Sequence, residues 1–134
     1  MALKKQKIIL IIEDEEVLQR ALYLMFHEAG YTIASSTDGE TGLKMAQRLN
    51  PDVILLDLIL PKMSGFEFLK DIKSMSPLKD IPIVVLSNLG DESDKEKAAT
   101  LGAADYFVKA DTDLSLLKDK ISTLLKNTDE KTMA

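Results

Sequence analysis

Short apolar runs recur along the chain, and each is bounded by turn-forming or acidic residues. The unbroken aliphatic character of Ile8–Ile12 and Val53–Leu56 is typical of strands that are covered on both faces. The runs predict five strands, which are Lys7–Ile12, Tyr31–Ser35, Asp52–Leu56, Pro82–Leu86 and Asp105–Val108.

A stretch with helical signals follows each predicted strand. After Asp14, apolar residues recur at helical spacing until Gly30, a residue type that favours the C-terminal end of a helix. Residues 114–125 repeat leucine and isoleucine at helical spacing, behind a cap candidate in Asp111 or Thr112. Weaker helical segments are predicted at about 39–48, 64–74 and 91–101.

The alternation of strands with helices indicates βαβ units. Such units need a parallel sheet, with right-handed crossovers and helices on both faces. We therefore predict an α/β fold built on a doubly wound five-stranded parallel sheet. In that fold, ligands bind outside the carboxyl ends of the strands. The residues that end the strands are accordingly the candidates for chemistry.

Length and composition indicate a single domain without disulfides and without Cys- or His-based metal clusters. Its 134 residues leave room for a single domain, and 46% hydrophobic residues are enough for a core. The sequence has no cysteine and one histidine, His27, which excludes disulfides and Cys- or His-based metal clusters. We expect His27 on the surface of the first helix.

Charge and hydropathy narrow the range of partners. The formal net charge of −5 and the pI of about 4.9 disfavour direct binding to nucleic acid. The longest aliphatic run, Ile8–Ile12, is far shorter than the roughly 20 residues that span a bilayer, and the acidic residues after it argue against a signal peptide. We therefore expect a cytoplasmic protein without membrane insertion.

Four predicted strands end in residues that carry chemistry: Glu13 and Asp14, then Asp57, Ser87 and Lys109. Asp57 is the most informative, because its neighbours are apolar and a lone carboxylate among them would be costly to desolvate without a cation partner. Alone, Asp14 could serve a helix N-terminus, Ser87 a loop and Lys109 the surface. Together, at one edge of the sheet, they indicate a site.

Two chemical roles fit this group of residues. Carboxylates from adjacent strand ends, such as Asp14 and Asp57, repel each other at close range and call for a divalent cation. An all-oxygen site suits Mg²⁺ or Mn²⁺. A carboxylate beside such a cation, a lysine and a hydroxyl is also a suitable acceptor for a phosphoryl group, because that transfer depends on positioning and charge neutralisation.

Several short motifs occur in a specific order along the chain. They are the acidic pair Glu13-Asp14, Asp57 followed by Pro61 and Gly65, the segment Val84–Ser87, and the segment Gly102–Lys109. Each is weak alone, but their order and spacing over about residues 7–126 resemble the receiver domain of bacterial two-component response regulators. The resemblance implies the flavodoxin-like receiver fold, with strand order 2-1-3-4-5.

The resemblance implies a phosphoacceptor and a metal site. Asp57 would accept a phosphoryl group from a phosphohistidine on a histidine kinase or a histidine phosphotransfer protein. Mg²⁺, with Mn²⁺ as an alternative, would be held by Asp14, Asp57 and the backbone carbonyl of Ile59, with Glu13 acting through water. The chain would be a signalling domain that catalyses only its own phosphorylation and dephosphorylation.

The resemblance also implies a switch. Lys109 would pair with Asp57 or with the phosphoryl oxygens, and Ser87 would move to hydrogen-bond the phosphoryl group. Tyr106 would turn inward as Ser87 moves. The surface of helix 4, strand 5 and helix 5 would then change for a downstream output protein.

Three features depart from the pattern of that family. Lys109 is followed by Ala110 instead of proline, and we predict a trans peptide bond between them because a non-proline cis bond costs about 3 kcal/mol. Leu60 replaces a common methionine, which is a tolerable apolar swap. Ile59 and Leu89 are apolar at positions that govern how water reaches the acyl phosphate, so we expect slow self-dephosphorylation.

Other functions remain as alternatives. A receiver that only scaffolds its partners would not need phosphorylation. A haloacid-dehalogenase-like phosphatase also uses an aspartate nucleophile with Mg²⁺, but its general-acid aspartate would fall at Ile59. A flavodoxin-type flavin binder needs a phosphate-binding loop after the first strand, where this chain is acidic.

The predicted domain organisation is simple. Residues 1–6 form an N-terminal segment, residues 7–126 form the receiver domain, and residues 127–134 form a polar tail or the start of a linker. The tail shows no hydrophobic periodicity. The charged run 91–97 is expected to be a solvated helix face that could also contact a partner.

Overall fold

The structure, a computed structural model, describes the backbone of residues 6–133 and the side chains of residues 6–127. Strands and helices alternate, as the hydrophobic pattern predicts. The elements are β1 (Ile8–Ile12), α1 (Glu16–Glu28), β2 (Thr32–Ser36), α2 (Gly39–Leu49), β3 (Val53–Leu56), α3 (Gly65–Ile72), β4 (Ile83–Ser87), α4 (Glu92–Thr100), β5 (Asp105–Val108) and α5 (Leu114–Met133). The backbone of α5 thus continues to Met133, within the segment 127–134 that was expected to be a polar tail.

The five strands form one parallel sheet in the order β2-β1-β3-β4-β5. β1 pairs with β2 on one side and with β3 on the other, so that Ile9 lies opposite Ile33 and Val53. The predicted doubly wound sheet and its strand order are confirmed. Because the order of the strands reverses between β1 and β3, the carboxyl ends of these strands border the crevice at which such folds bind ligands.

Helices cover the sheet on both faces, and the core divides into two hydrophobic clusters. In β1, Leu10 and Ile12 belong to the cluster with α2, α3 and α4, whereas Ile9 and Ile11 belong to the cluster with α1 and α5. All four side chains are fully buried. Strands that are covered on both faces need no polar alternation, which explains the unbroken aliphatic runs.

The N-terminus of α5 differs from the prediction. Asp113 provides the cap, because its Oδ1 accepts a hydrogen bond from the backbone N–H of Ser115 at 2.9 Å. The predicted caps, Asp111 and Thr112, were wrong because both residues belong to or contact the 3-10 turn that follows β5, before the helix begins. Asp111 lies within that turn, and Thr112 Oγ1 donates to the carbonyl of Val108 at 2.6 Å.

The helix surfaces agree with the sequence in two places. On α1, His27 is exposed as predicted, and its ring stacks on Tyr23 with 5.5 Å between the ring centres. On α4, Ala98 is the one fully buried side chain, and Lys97 Nζ lies 4.3 Å from the centre of the Phe66 ring on α3. Within residues 6–133, none of the helices combines the length and the hydropathy of a membrane span.

Candidate functional site

The carboxyl ends of β1, β3 and β5 bring two carboxylates and an ammonium group into contact. Lys109 Nζ lies 2.8 Å from Asp57 Oδ2 and 2.9 Å from Glu13 Oε1. The exposed fractions of the Lys109, Asp57 and Glu13 side chains are 10%, 4% and 3%. Water therefore screens these charges little, and Lys109 is the cation that the sequence required beside Asp57.

Backbone contacts fix the direction of Asp57. Its N–H donates to the carbonyl of Ile12 at 3.0 Å, which continues the β1–β3 ladder by one residue. Its Oδ1 accepts a hydrogen bond from the backbone N–H of Ile59 at 3.1 Å. A Cβ atom at Gly65 would lie 2.5 Å from the carbonyl oxygen of Asp57, so only glycine allows α3 to start this close to the site.

Burial has the largest effect on the pKa of Glu13. Loss of hydration raises the pKa of Glu13 to about 7, and the nearby Asp57 charge adds to this, although a hydrogen bond from the backbone N–H of Glu15 and contact with Lys109 oppose it. Burial lowers the pKa of Lys109, but its hydrogen bonds to Asp57 and Glu13 outweigh that effect and raise it above the usual range. The lysine therefore stays charged, while the site retains an excess of carboxylates.

The oxygen donors of this site fit a divalent cation. Glu13, Asp14 and Asp57 each offer a carboxylate oxygen, and these atoms lie within 4.8 Å of one another. Lys109 supplies one positive charge against these three acidic side chains, so the arrangement favours added positive charge. Hard oxygen ligands with access to water, here at the exposed Asp14, suit Mg²⁺. The acidic cluster therefore fits a Mg²⁺ site.

Ser87 and Tyr106 both contact the backbone of the loop between β4 and α4. Ser87 is fully buried, and its Oγ accepts a hydrogen bond from the N–H of Leu89 at 3.4 Å. The Tyr106 hydroxyl donates to the carbonyl of Leu89. Burial raises the pKa of Tyr106 to about 12, with a smaller contribution from the charge of Asp94. Tyr106 therefore remains a hydrogen-bond donor at neutral pH.

The peptide bond after Lys109 agrees with the prediction. The cis peptide bond found among residues 6–133 is Ser76–Pro77, and Lys109–Ala110 is trans. A 3-10 turn over Lys109–Asp111 follows β5 directly. The chain therefore leaves the site through a compact turn.

Sequence reasoning missed two residues at this site. Glu15 Oε2 lies 3.6 Å from Lys109 Nζ, and the sequence did not single out Glu15 as a site residue. Gln19 Nε2 donates to the carbonyls of Glu13 and Ser36 at 3.0 and 3.1 Å. A lone glutamine on a helix carries no pattern that distinguishes it from a solvated residue, so the sequence offered no signal for Gln19.

The fold occurs in solved structures. The chain is similar to chemotaxis protein CheY4 of Vibrio cholerae, with a TM-score of 0.82 and 27% identity, over 90% of this chain and 99% of that chain. It is also similar to the receiver domain of a sensor histidine kinase from Pseudomonas aeruginosa PAO1, with a TM-score of 0.82 and 25% identity, over 91% of this chain and 99% of that chain. The Pseudomonas structure holds a magnesium ion in its active-site cleft.

Sequence relatives agree with the structural neighbours. The DNA-binding dual master transcriptional regulator RpaA of a Synechocystis species is 35% identical over 121 residues, which are 90% of this chain and 50% of that protein. The chain spans about half the length of the curated relatives it matches. The family profile described as response regulator receiver domain matches residues 9–122. The chain therefore belongs to the response regulator receiver domain family.

Proposed function

We propose that Asp57 accepts a phosphoryl group from a phosphohistidine, on a histidine kinase or a histidine phosphotransfer protein. The observation that carries this proposal is the sharing of Lys109 between the buried carboxylates of Asp57 and Glu13, beside the exposed Asp14. In the transfer, an Asp57 oxygen forms a bond to phosphorus while the phosphorus–nitrogen bond of the donor breaks. The electron pair of that bond stays on the imidazole, whose other ring nitrogen carries a proton, so that the donor leaves as neutral histidine.

The residues around Asp57 supply charge and direction for this step. Asp14, Asp57 and the backbone carbonyl of Ile59 would hold Mg²⁺ or Mn²⁺, and Glu13 would act through water. When bound, the cation offsets the negative charge of the carboxylates and of the incoming phosphoryl oxygens. The Lys109 ammonium, which contacts Asp57 Oδ2 at 2.8 Å, lies close enough to pair with a phosphoryl oxygen after the transfer.

Ser87 and Tyr106 would convert the phosphorylation into a change of surface. Both side chains contact Leu89, so a movement of the Ser87 hydroxyl toward the phosphoryl group disturbs the loop that Tyr106 also binds. The active state gains charge-assisted hydrogen bonds, which shift the population of the Tyr106 contact. The surface of α4, β5 and α5 would then present itself to an output protein or domain.

The phosphorylated state should decay slowly. The side chain of Ile59 is 54% exposed, and Leu89 is half-buried. Neither can hydrogen-bond an attacking water near Asp57. We therefore expect a phosphoryl lifetime well above seconds in a decay assay, and complete loss within seconds would contradict this part of the proposal.

The experiment that tests the proposal is intact-mass analysis after incubation with acetyl phosphate or phosphoramidate and Mg²⁺. The native protein should gain the mass of one phosphoryl group, and Asp57→Asn should gain nothing. Asp105→Asn is the matched control, because Asp105 begins β5 at the opposite edge of the sheet and should leave the mass gain intact. No gain in the native protein would favour the scaffold alternative.

The receiver domain covers most of the chain in this proposal. We propose residues 7–126 as the receiver, with residues 1–6 and 127–134 as flanking segments. The family match over residues 9–122 lies within these limits. Receiver domains are signalling domains, so membership in the family speaks against a phosphatase or a flavin binder. A cytoplasmic location and the absence of direct contact with nucleic acid stay predictions from the sequence.

A further inference from the structure

We infer that Gln19 is a positioning residue for the cation site, an inference that rests on the proposed function. Gln19 lies on α1 and is half-buried. Its Nε2 donates one hydrogen bond to the carbonyl of Glu13 at 3.0 Å and another to the carbonyl of Ser36 at 3.1 Å. One amide nitrogen thus joins α1 to the ends of two neighbouring strands, β1 and β2.

The bond to Glu13 fixes the peptide group that leads to Asp14. The Glu13 carbonyl belongs to the peptide that carries the Asp14 N–H, so rotation of this peptide would swing the Asp14 carboxylate away from Asp57. Among the contacts of residues 6–127, the exposed Asp14 side chain has no hydrogen bond or ion pair. The backbone therefore sets where the Cα–Cβ bond of Asp14 points, and Gln19 holds that backbone.

The bond to Ser36 anchors the same peptide to the sheet. The Ser36 carbonyl also accepts a hydrogen bond from the N–H of Glu13 at 2.9 Å. With the bond from Gln19 to the Glu13 carbonyl, three hydrogen bonds link Glu13 to the Ser36 carbonyl at the end of β2. The Glu13 N–H is linked directly, and the Glu13 carbonyl is linked through Gln19 Nε2. A cation site gains affinity when its ligands are held in place before the ion arrives, because less ordering remains to be done on binding.

A purely structural role for Gln19 makes a different prediction. If the two hydrogen bonds only attach α1 to the sheet, their loss lowers the thermal midpoint of unfolding and leaves the Mg²⁺ affinity of the folded protein unchanged. If they position Asp14, their loss weakens Mg²⁺ binding in protein that is still fully folded. The two roles are therefore separated by measuring affinity and stability on the same variants.

The test compares Gln19→Met, which keeps the length of the side chain and removes its donors, with Gln47→Met. Gln47 lies on α2, and within residues 6–127 its Nε2 donates to the Met75 sulfur alone, at 3.6 Å. Mg²⁺ is titrated into each metal-free protein, and amide chemical shifts in NMR spectra report binding. Loss of a residue that orients a metal ligand typically weakens affinity 10- to 100-fold, so Gln19→Met should raise the Kd for Mg²⁺ about tenfold, and Gln47→Met should not change it.

The outcomes distinguish this inference from the function on which it rests. An unchanged Kd in Gln19→Met overturns the positioning role, whatever happens to the stability. Absence of saturable Mg²⁺ binding in the native protein contradicts the proposed function itself, and the inference with it. A rise in Kd that is confined to Gln19→Met supports the positioning role.

A measurement on the native protein covers the case in which Gln19→Met does not fold. In the metal-free native protein, the side-chain amide protons of Gln19 should exchange slowly with solvent. They should also show couplings through hydrogen bonds to the carbonyl carbons of Glu13 and Ser36. The side-chain protons of Gln47 serve as the internal reference. Exchange at the same rate for Gln19 and Gln47 overturns the inference.

Discussion

Replacement of Lys109 by methionine tests the electrostatics of the site most directly. Methionine keeps most of the apolar stem and removes the ammonium group that lies 2.8 Å from Asp57 Oδ2 and 2.9 Å from Glu13 Oε1. Two buried carboxylates then face each other without a cation. We expect Lys109→Met to be folded but clearly less stable than the native protein when metal is absent.

The magnitude follows from burial. Breaking a buried ion pair by removing one partner costs about 3–5 kcal/mol, whereas a surface pair contributes about 0–1 kcal/mol. Because the pKa of Glu13 is raised to about 7, a proton on Glu13 can relieve part of the repulsion at lower pH. A carboxyl group whose pKa is raised by folding favours the folded state at low pH, and this contribution is lost as the pH rises through about 7. The loss of unfolding free energy caused by Lys109→Met should therefore be smaller at pH 5 than at pH 8. At pH 8 we expect a loss of about 3 kcal/mol.

The assay is urea unfolding in the presence of a chelator. With a slope of about 2 kcal/mol per molar urea, a loss of about 3 kcal/mol lowers the unfolding midpoint by about 1.5 M. Lys120→Met is the matched control, because Lys120 pairs with Asp105 at 3.4 Å and these side chains are 37% and 38% exposed. The control should shift the midpoint by less than about 0.5 M.

Two results would refute the reasoning. Equal midpoints for Lys109→Met and Lys120→Met would show that the buried contact contributes no more than a surface pair. The loss of unfolding free energy in Lys109→Met is measured against the native protein at each pH. A loss that is larger at pH 5 than at pH 8 would contradict the raised pKa of Glu13. Addition of Mg²⁺ should recover part of the lost stability, because the ion binds only the folded site.

Three further predictions concern stability away from the site. Asp38→Ala should lower the free energy of unfolding by about 1 kcal/mol at pH 7, because Asp38 caps α2 by accepting a hydrogen bond from the backbone N–H of Thr41. The same hydrogen bond holds the pKa of Asp38 below its usual value. The stabilisation by Asp38, measured by urea unfolding, should therefore vanish as the pH falls through that lowered pKa. A double-mutant cycle of Lys97→Met with Phe66→Leu should give a coupling of about 0.5–1 kcal/mol, and additive effects would refute the contact. Gly39→Ala should cost about 1–3 kcal/mol in thermal unfolding, because its Cβ would overlap the carbonyl oxygen of Met63. Gly90→Ala, where the nearest atom lies 3.6 Å away, should cost less than half as much, and equal losses would contradict this assignment.

The sequence alone determined the order of elements and the edge of the sheet that carries the chemistry. Each observed strand lies within one residue of its predicted bounds. The central strands β1, β3 and β4 are buried along nearly their whole length, and a strand covered on both faces is an apolar run that can be recognised without knowledge of its partners. The same local logic identified Asp57. A carboxylate at the end of such a run must meet a cation, whatever the rest of the fold.

Tertiary structure decided which groups meet. Lys109 contacts Asp57 and Glu13, from which it is separated by 52 and 96 residues in sequence, and only the register and spacing of the strands bring these atoms within 3 Å. The 3-10 turn after β5 likewise determines where α5 begins, so that Asp113 is the residue that caps this helix. Local patterns encode burial and periodicity, whereas a hydrogen bond such as that of Gln19 depends on the distance between separate elements. That distance is set by the packing of the whole domain, and no segment of the sequence contains it.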